Sequence, residues 1–296
     1  MPKTSKNQTL TPIHVHELTN EDAIESLTLQ ANRLLEKDYP GYAESESPAA
    51  WMAAYKAPEG STRRLLTVLV DPEQQVVAFT TSQIYPSPAS SEQPSHQALI
   101  GYSCVDGDYV ARTHQTLYES CQRQVGRAAR NAYRGDKRDP YHNACEETAV
   151  DALTQSKKAA IQNIKDQGLP IGVIAQEHMP EHTRKVQAAL AAGQTPLPID
   201  HLMPQWTLGD VPPNTAGATL FAVEVGTNGK PLGVNLMELI TDYIETDGCH
   251  AANPTADAAY QNMATQVQKL GAEYTIRGKP VSAASRRKTT MLKHGA

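Results

Sequence analysis

Glu177 and His178, a carboxylate and an imidazole, stand just past the apolar run 171–175, after Gln176. Side chains alternate between the two faces of a strand, so only one of the two can face a given cleft. His178 and His182 stand four apart, the spacing of a zinc-binding pair on one helical face. Pro180 lies between them and places His178 ahead of any helix that carries His182. His14 and His16 form a second pair in the N-terminal segment. Arg123, Arg127, Arg130 and Arg134 share one side of a periodic segment and could meet phosphates, an acidic partner or nucleic acid. A solvated helix face accounts for them equally well. The chain has no Walker-type loop, no Gly-x-Gly-x-x-Gly and no Gly-x-Ser-x-Gly. Kinase, dinucleotide-oxidoreductase and hydrolase readings therefore have little support.

These side chains need a scaffold, and 296 residues with 40% apolar content can bury a substantial core. A net charge of −5 points neither to nucleic acid nor to a membrane surface. Four cysteines, widely spaced and without a CxxC pair, read as reduced thiols of a cytoplasmic protein. Residues 1–9 lack the apolar centre of a signal peptide, and no apolar run approaches the roughly 20 residues a membrane span needs. With two Phe, two Trp and 12 Tyr, tyrosine must supply most of the aromatic packing.

Apolar periodicity predicts a helix over 23–36, with Asn20 as its N-cap and Glu21 and Asp22 favouring its dipole. Strands are predicted over 65–70 and 76–85, joined through Asp71-Pro72-Glu73-Gln74 in a type I turn. A third strand over 98–105 precedes helices over 112–133 and 146–167. Then come a buried strand over 171–175, a helix over 181–192, strands over 201–208 and 218–225, and helices over 234–245 and 255–270. The basic segment from Ser282, with Arg286, Arg287, Lys288 and Lys293, shows no periodicity. An antiparallel meander followed by strands alternating with helices implies an α/β (α+β) fold. Its sheet is mixed and largely antiparallel, with helices on both faces.

This order of segments resembles the GNAT acetyltransferase superfamily, with the core match running over residues 65–206. The strand ending at Cys104 and Val105, then Asp106 and the helix from Arg112, looks like that superfamily's cofactor-binding strand and helix. The runs 171–177, 184–193 and 200–208 resemble the strand, helix and strand that follow. The resemblance implies a splayed pair of parallel strands holding the pantetheine arm of acetyl-CoA. It also implies a pyrophosphate bound at the start of the next helix, where unpartnered N–H groups and the dipole favour an anion. The matching loop is Val110, Ala111, Arg112, Thr113, His114, Gln115 and Thr116. Val110 stands where the family has Arg or Gln, and Thr113 and Gln115 stand where it has small residues. Arg112, Thr113 and His114 remain donors to phosphate. Glu177, at the end of its strand where the pair should splay, becomes the candidate general base. The helix after it has no Tyr for a general acid; Tyr118 and Tyr260 are alternatives, each on an apolar face. The segment Asp38-Tyr39-Pro40-Gly41-Tyr42, with Glu44 and Glu46, falls where such folds place a substrate-facing loop.

The reading that follows is a single domain over 1–280, with core 65–206, C-terminal elements 207–280 and a basic tail 281–296. Its expected activity is acetyl transfer from acetyl-CoA to an amine of a small molecule or protein, with no metal and no membrane partner. The rival readings are a GNAT-fold binding module without catalysis, supported by the departures in the loop, and a nucleic-acid-associated protein, supported by the basic face and tail.

Overall fold

The computed structural model describes residues 9–39, 51, 53–54, 61–86, 96–115, 140–179, 182–202, 217–224, 230, 232–246, 261–262 and 264–269. The first long helix, α1 (Glu21–Asp38), starts where the sequence predicts it. The Asn20 side chain accepts the Ala23 N–H at 3.1 Å, and Glu21 and Asp22 occupy the first turn. Ile24, Leu27, Ala31, Leu34 and Leu35 recur at helical spacing and form one buried stripe. That stripe packs on Leu66, Val68, Val70, Val76 and Phe79 of the sheet. Burying each large apolar side chain stabilises the fold by about 1.5–3 kcal/mol before chain entropy is counted.

Strands β1 (Thr11–His14), β2 (Arg63–Val70), β3 (Val76–Tyr85) and β4 (His96–Val105) form an antiparallel meander. The β2–β3 turn rests on Asp71, whose Oδ1 accepts the N–H of Glu73 at 3.1 Å and of Gln75 at 2.9 Å. Gln74 takes the left-handed conformation with φ 62°, which closes the turn without a glycine. A short helix, α2 (Gly107–Thr113), follows β4 at once. The 27-residue helix α3 (Pro140–Asp166) leads to β5 (Ile171–His178), which pairs parallel to β4. Next come α4 (Thr183–Ala191), β6 (Thr195–Leu202), β7 (Gly217–Glu224) and α5 (Leu232–Thr246). Gly168 and Gly193, at φ +68° and +90°, end α3 and α4 in the left-handed conformation that glycine adopts at least cost.

Among the described residues, seven strands lie in the order β1-β2-β3-β4-β5-β7-β6, and β4 and β5 are the parallel pair. On one face, Ile161 and Ile164 of α3 pack on Leu65, Ile84, Ala98, Ile100 and Ile174. On the other face, beside α1, Leu232, Leu236, Leu239 and Ile240 of α5 pack on Tyr85, Val173, Ala175 and Ala222. The mixed sheet with helices on both faces is therefore as the sequence implies.

Two expected elements are met only in part. A short helix that Asp106 caps directly after the strand, α2, ends at Thr113, and most of the helix expected over 112–133, with its four arginines, lies outside the described residues. The strand expected at 201–208 begins at Thr195, and 203–208 lie outside the described residues. Cys104 and Cys145 are free thiols. Tyr118, Tyr260, residues 40–50 and the basic tail also lie outside the described residues. Among the described residues, no helix is long and apolar enough to cross a membrane, and no three side chains form a metal site.

Candidate active site

Strands β4 and β5 separate. Their parallel register runs from His96↔Ile171 to Ile100↔Gln176 and stops there. Beyond that point β4 continues to Val105 on the β3 ladder alone, while Glu177 and His178 of β5 pair with Leu220 and Thr219 of β7. The cause lies in β4. Thr80 pairs with Ser103 and Ser82 with Ile100, so Thr81 opposes both Gly101 and Tyr102. This two-against-one arrangement is a β-bulge, which bends the strand and increases its twist. Thr81 Oγ1 accepts the Tyr102 N–H at 2.9 Å, and a Cβ on Gly101 would sit 2.7 Å from that oxygen. The bulge also exchanges faces. Ala98, Ile100, Ser103 and Val105 lie on the α3 side, whereas Tyr102 and Cys104 lie on the α1 side.

The α3 side of the split is polar and closed to water. Lys157 is 0% exposed; its Nζ donates to Gln176 Oε1 at 2.6 Å and to Ser103 Oγ at 3.2 Å. Gln176 Nε2 donates to the Gly101 carbonyl and to Ser103 Oγ, both at 3.3 Å. A side-chain amide thus bridges two strands where their backbone ladder ends. Thr80 Oγ1 joins Ser103 Oγ at 3.3 Å and Ser156 Oγ at 2.8 Å. Lys157 has no carboxylate within salt-bridge reach among the described residues. Burial and the neighbouring Lys185 charge push its pKa well down, with Cys104 opposing. His178, 3% exposed, sets its ring edge-on to Phe221 at 5.2 Å. Its Nε2 has no hydrogen-bond partner among the described residues. Burial first, then the charges of Lys157, Lys185 and His182, lower its pKa to about 2, so the imidazole is neutral.

Across the split, the end of α1 meets the start of α4, which packs beside α3. Lys185 Nζ donates to the Tyr39 hydroxyl at 2.7 Å, lies 3.4 Å from Asp38 Oδ2 and 4.4 Å from the Tyr39 ring centroid. Tyr39 stacks edge-on against Tyr102 at 5.6 Å. Burial pushes the Cys104 thiol far above its ordinary pKa, so it is a packing group and not a thiolate. Glu177 is half-buried on the face that carries Val173 and Ala175, opposite His178. The alternation expected for this pair holds, and both residues stand just past the point where the strands part.

The segment expected to cradle the phosphates is largely helical. Val110, Ala111, Arg112 and Thr113 are helical, in α2. Val110 is buried with Tyr109 against Leu69, Val77, Ala149 and Ala152. Asp106 Oδ1 accepts the Asp108 N–H at 3.1 Å, and its Oδ2 accepts the Tyr109 N–H at 3.2 Å. A carboxylate thus takes two N–H donors of the first turn of α2. The Thr113 hydroxyl donates to the Tyr109 carbonyl at 2.9 Å, and His114 Nε2 meets Thr148 Oγ1 at 2.6 Å. Gln115 is exposed, and Thr116 lies outside the described residues. The helix that crosses back between the parallel strands is α3. Such a crossover sets the helix N-terminus at the C-terminal edge of both strands, where the split opens. Arg184, at the start of α4, forms a bidentate pair with Glu146 near the start of α3, which fixes that end over the opening.

Lys157, Gln176, Gly101 and Lys185 were absent from the sequence-based candidates, while Tyr39 stood among them only as part of the loop 38–42. Gly101 carried a signal, since a glycine inside an apolar strand marks a bulge. Lys157 carried another, falling between Leu153 and Ile161 on the apolar stripe of α3.

The fold is of the GNAT acetyltransferase type: a meander, a split parallel pair, a crossover helix and a returning antiparallel pair. No protein-family model and no curated protein matches the chain. Solved structures that resemble it include the ribosomal-protein-S5-alanine acetyltransferase from Vibrio fischeri. That match has 12% identity and a TM-score of 0.39, and covers 74% of this chain and 94% of that one. An N-acetyltransferase from Staphylococcus aureus Mu50 matches at 10% identity and TM-score 0.36, over 73% of this chain and 97% of that one. Arabidopsis thaliana NAA60 in complex with a bisubstrate analogue matches at 11% identity and TM-score 0.40, over 74% of this chain and all of that one.

Proposed function

We propose that the chain is an N-acyltransferase that takes an acyl-coenzyme A in the split between β4 and β5 and passes the acyl group to an amine. The observation that carries this reading is the end of parallel pairing at Ile100↔Gln176, while β4 runs on to Val105. Residues 102–105, Cys104 and Val105 among them, then offer backbone groups to an extended arm as a strand edge offers them to a peptide. The phosphates lie at the first turn of α3 in this reading, and not along residues 110–116. The donor therefore approaches from the α3 side, and the amine from the side of Glu177.

The transfer balances simply. The amine nitrogen attacks the thioester carbonyl, the C–N bond forms and the C–S bond breaks. The nitrogen loses one proton to Glu177, directly or through water, and the thiolate takes up one proton from solvent. The acceptor class is a small-molecule or peptide amine, and the site of action is the cytoplasm. The test is release of free thiol from acetyl-CoA in the presence of an amine panel, with the acylated product weighed by mass spectrometry. Glu177→Gln should lower kcat by about 10²–10⁴ and leave donor binding intact. Activity equal to wild type in that variant removes Glu177 from the mechanism.

A second reading, a ligand-binding module without transfer, is favoured by Gln176, whose amide already occupies the apex of the split. Saturable donor binding with no thiol release under any amine would select it.

A further inference from the structure

The split holds basic groups that the fold leaves without a counter-charge. Lys157 and His178 are buried on its α3 side, and Lys185 reaches into it from α4. Among the described residues, Asp38 is the carboxylate within salt-bridge reach of Lys185, at 3.4 Å. Lys157 has two neutral partners, Ser103 and Gln176, and an ammonium so placed is costly to desolvate. His178 Nε2, on a side chain 97% out of water, has no partner among the described residues. A buried basic group without a counter-charge beside a buried orphan polar atom is an incomplete site. What completes it is an oxyanion that accepts from both.

Resting on the acyl-donor reading above, we propose that the acyl group accepted here ends in a carboxylate, as in the monothioester of a short dicarboxylic acid, held by Lys157 and His178. Both residues lie on the α3 side of the sheet, from which the donor approaches, while Glu177 and the amine lie on the opposite side. The carboxylate therefore belongs to the donor. Gln176 is the side chain that gives way. Its two Nε2 bonds are both 3.3 Å, at the long end of the hydrogen-bond range, and they only bridge the strand gap. A carboxylate oxygen in place of Gln176 Oε1 gives Lys157 a charge-assisted bond. The second oxygen accepts from His178 in its Nε2–H tautomer. An acetyl group offers neither contact and leaves both residues as they stand.

Calorimetry on the full chain tests this with coenzyme A, acetyl-CoA, succinyl-CoA and free succinate. Succinyl-CoA should bind at least about tenfold more tightly than acetyl-CoA, a factor that one charge-assisted pair supplies. In Lys157→Met the preference should fall to within about twofold, while free coenzyme A binds as before, which also reports that the variant is folded. His178→Phe should lose part of the preference and provides the check if Lys157→Met does not fold. Equal affinity for the two thioesters, or a preference that survives both substitutions, overturns this proposal and leaves the acyl-donor reading standing. Lys157-dependent binding of free succinate without a thioester preference also overturns it, and assigns the carboxylate to the acceptor. Failure of every coenzyme A compound to bind removes the acyl-donor reading itself, and this proposal with it.

Discussion

Ile100 and Gln176 are the last residues that hold β4 against β5. Gly101 follows Ile100 and has no room for a side chain, and Gln176 spans the opening with its amide. The cleft is thus produced by one bulge and bridged by one side chain.

The bulge predicts a specific packing conflict. Gly101→Ala places a methyl 2.7 Å from Thr81 Oγ1, and this oxygen is itself fixed by the Tyr102 N–H. Overpacking of this kind costs about 1–3 kcal/mol, read from urea unfolding. Adding Thr81→Ala should recover part of that cost, because the clash and the bond go together. Equal stability of Gly101→Ala and wild type would mean that the bulge tolerates a side chain.

His178 predicts how stability depends on acid. Its folded pKa of about 2 lies below the ordinary 6.5, so between these values the unfolded chain binds the extra proton. Its contribution is therefore fully present above pH 6.5 and is lost as pH falls toward 2. The slope is about 1.4 kcal/mol per pH unit for one proton. His16 and His96 are also lowered by burial and act in the same direction. The difference between wild type and His178→Phe isolates this residue: the variant should show a shallower fall in stability between pH 6 and 4, with one proton fewer in the slope. Identical pH profiles would contradict the buried, neutral imidazole.

Asp106 separates capping from ligand binding. Asp106→Ala removes two bonds to the first turn of α2 and the contact at 3.6 Å with Lys37, costing about 1–2 kcal/mol. Affinity for coenzyme A should be unchanged, and Thr113→Glu should leave it within about twofold. A collapse of binding in Thr113→Glu would return the phosphate site to α2.

Tyr39 and Lys185 should prove energetically coupled. They join α1 to α4 across the split, by a 2.7 Å bond and a cation–π contact at 4.4 Å. A double-mutant cycle with Tyr39→Phe and Lys185→Met should give a coupling of about 1 kcal/mol. Strict additivity would mean that the contact contributes nothing to closure.

Much of the scaffold was legible because its signals are local. The Asn20 cap, the Asp71 turn, the apolar stripe of α1 and the run 171–175 each act within a few residues. The face of Glu177 was legible for the same reason, since alternation is a property of the strand itself. The short helix α2 was not anticipated, although Asp106 before a helical run is itself a start signal. Lys157 escaped notice because its neighbours Ser103 and Gln176 lie 54 and 19 residues away in sequence. A charged residue on an apolar stripe can be seen in a sequence, but what it meets is decided by tertiary packing. The clasp of Tyr39 with Lys185, 146 residues apart, left no local trace at all.

The central claim is that the parted strands receive the donor. Backbone hydrogen exchange, followed while the full chain is titrated with coenzyme A, tests it most directly. The account predicts saturable binding, with exchange slowed at the amides of residues 102–105 and at the first turn of α3, and unchanged at residues 107–113. No binding at millimolar coenzyme A, or protection confined to residues 107–113, would contradict it.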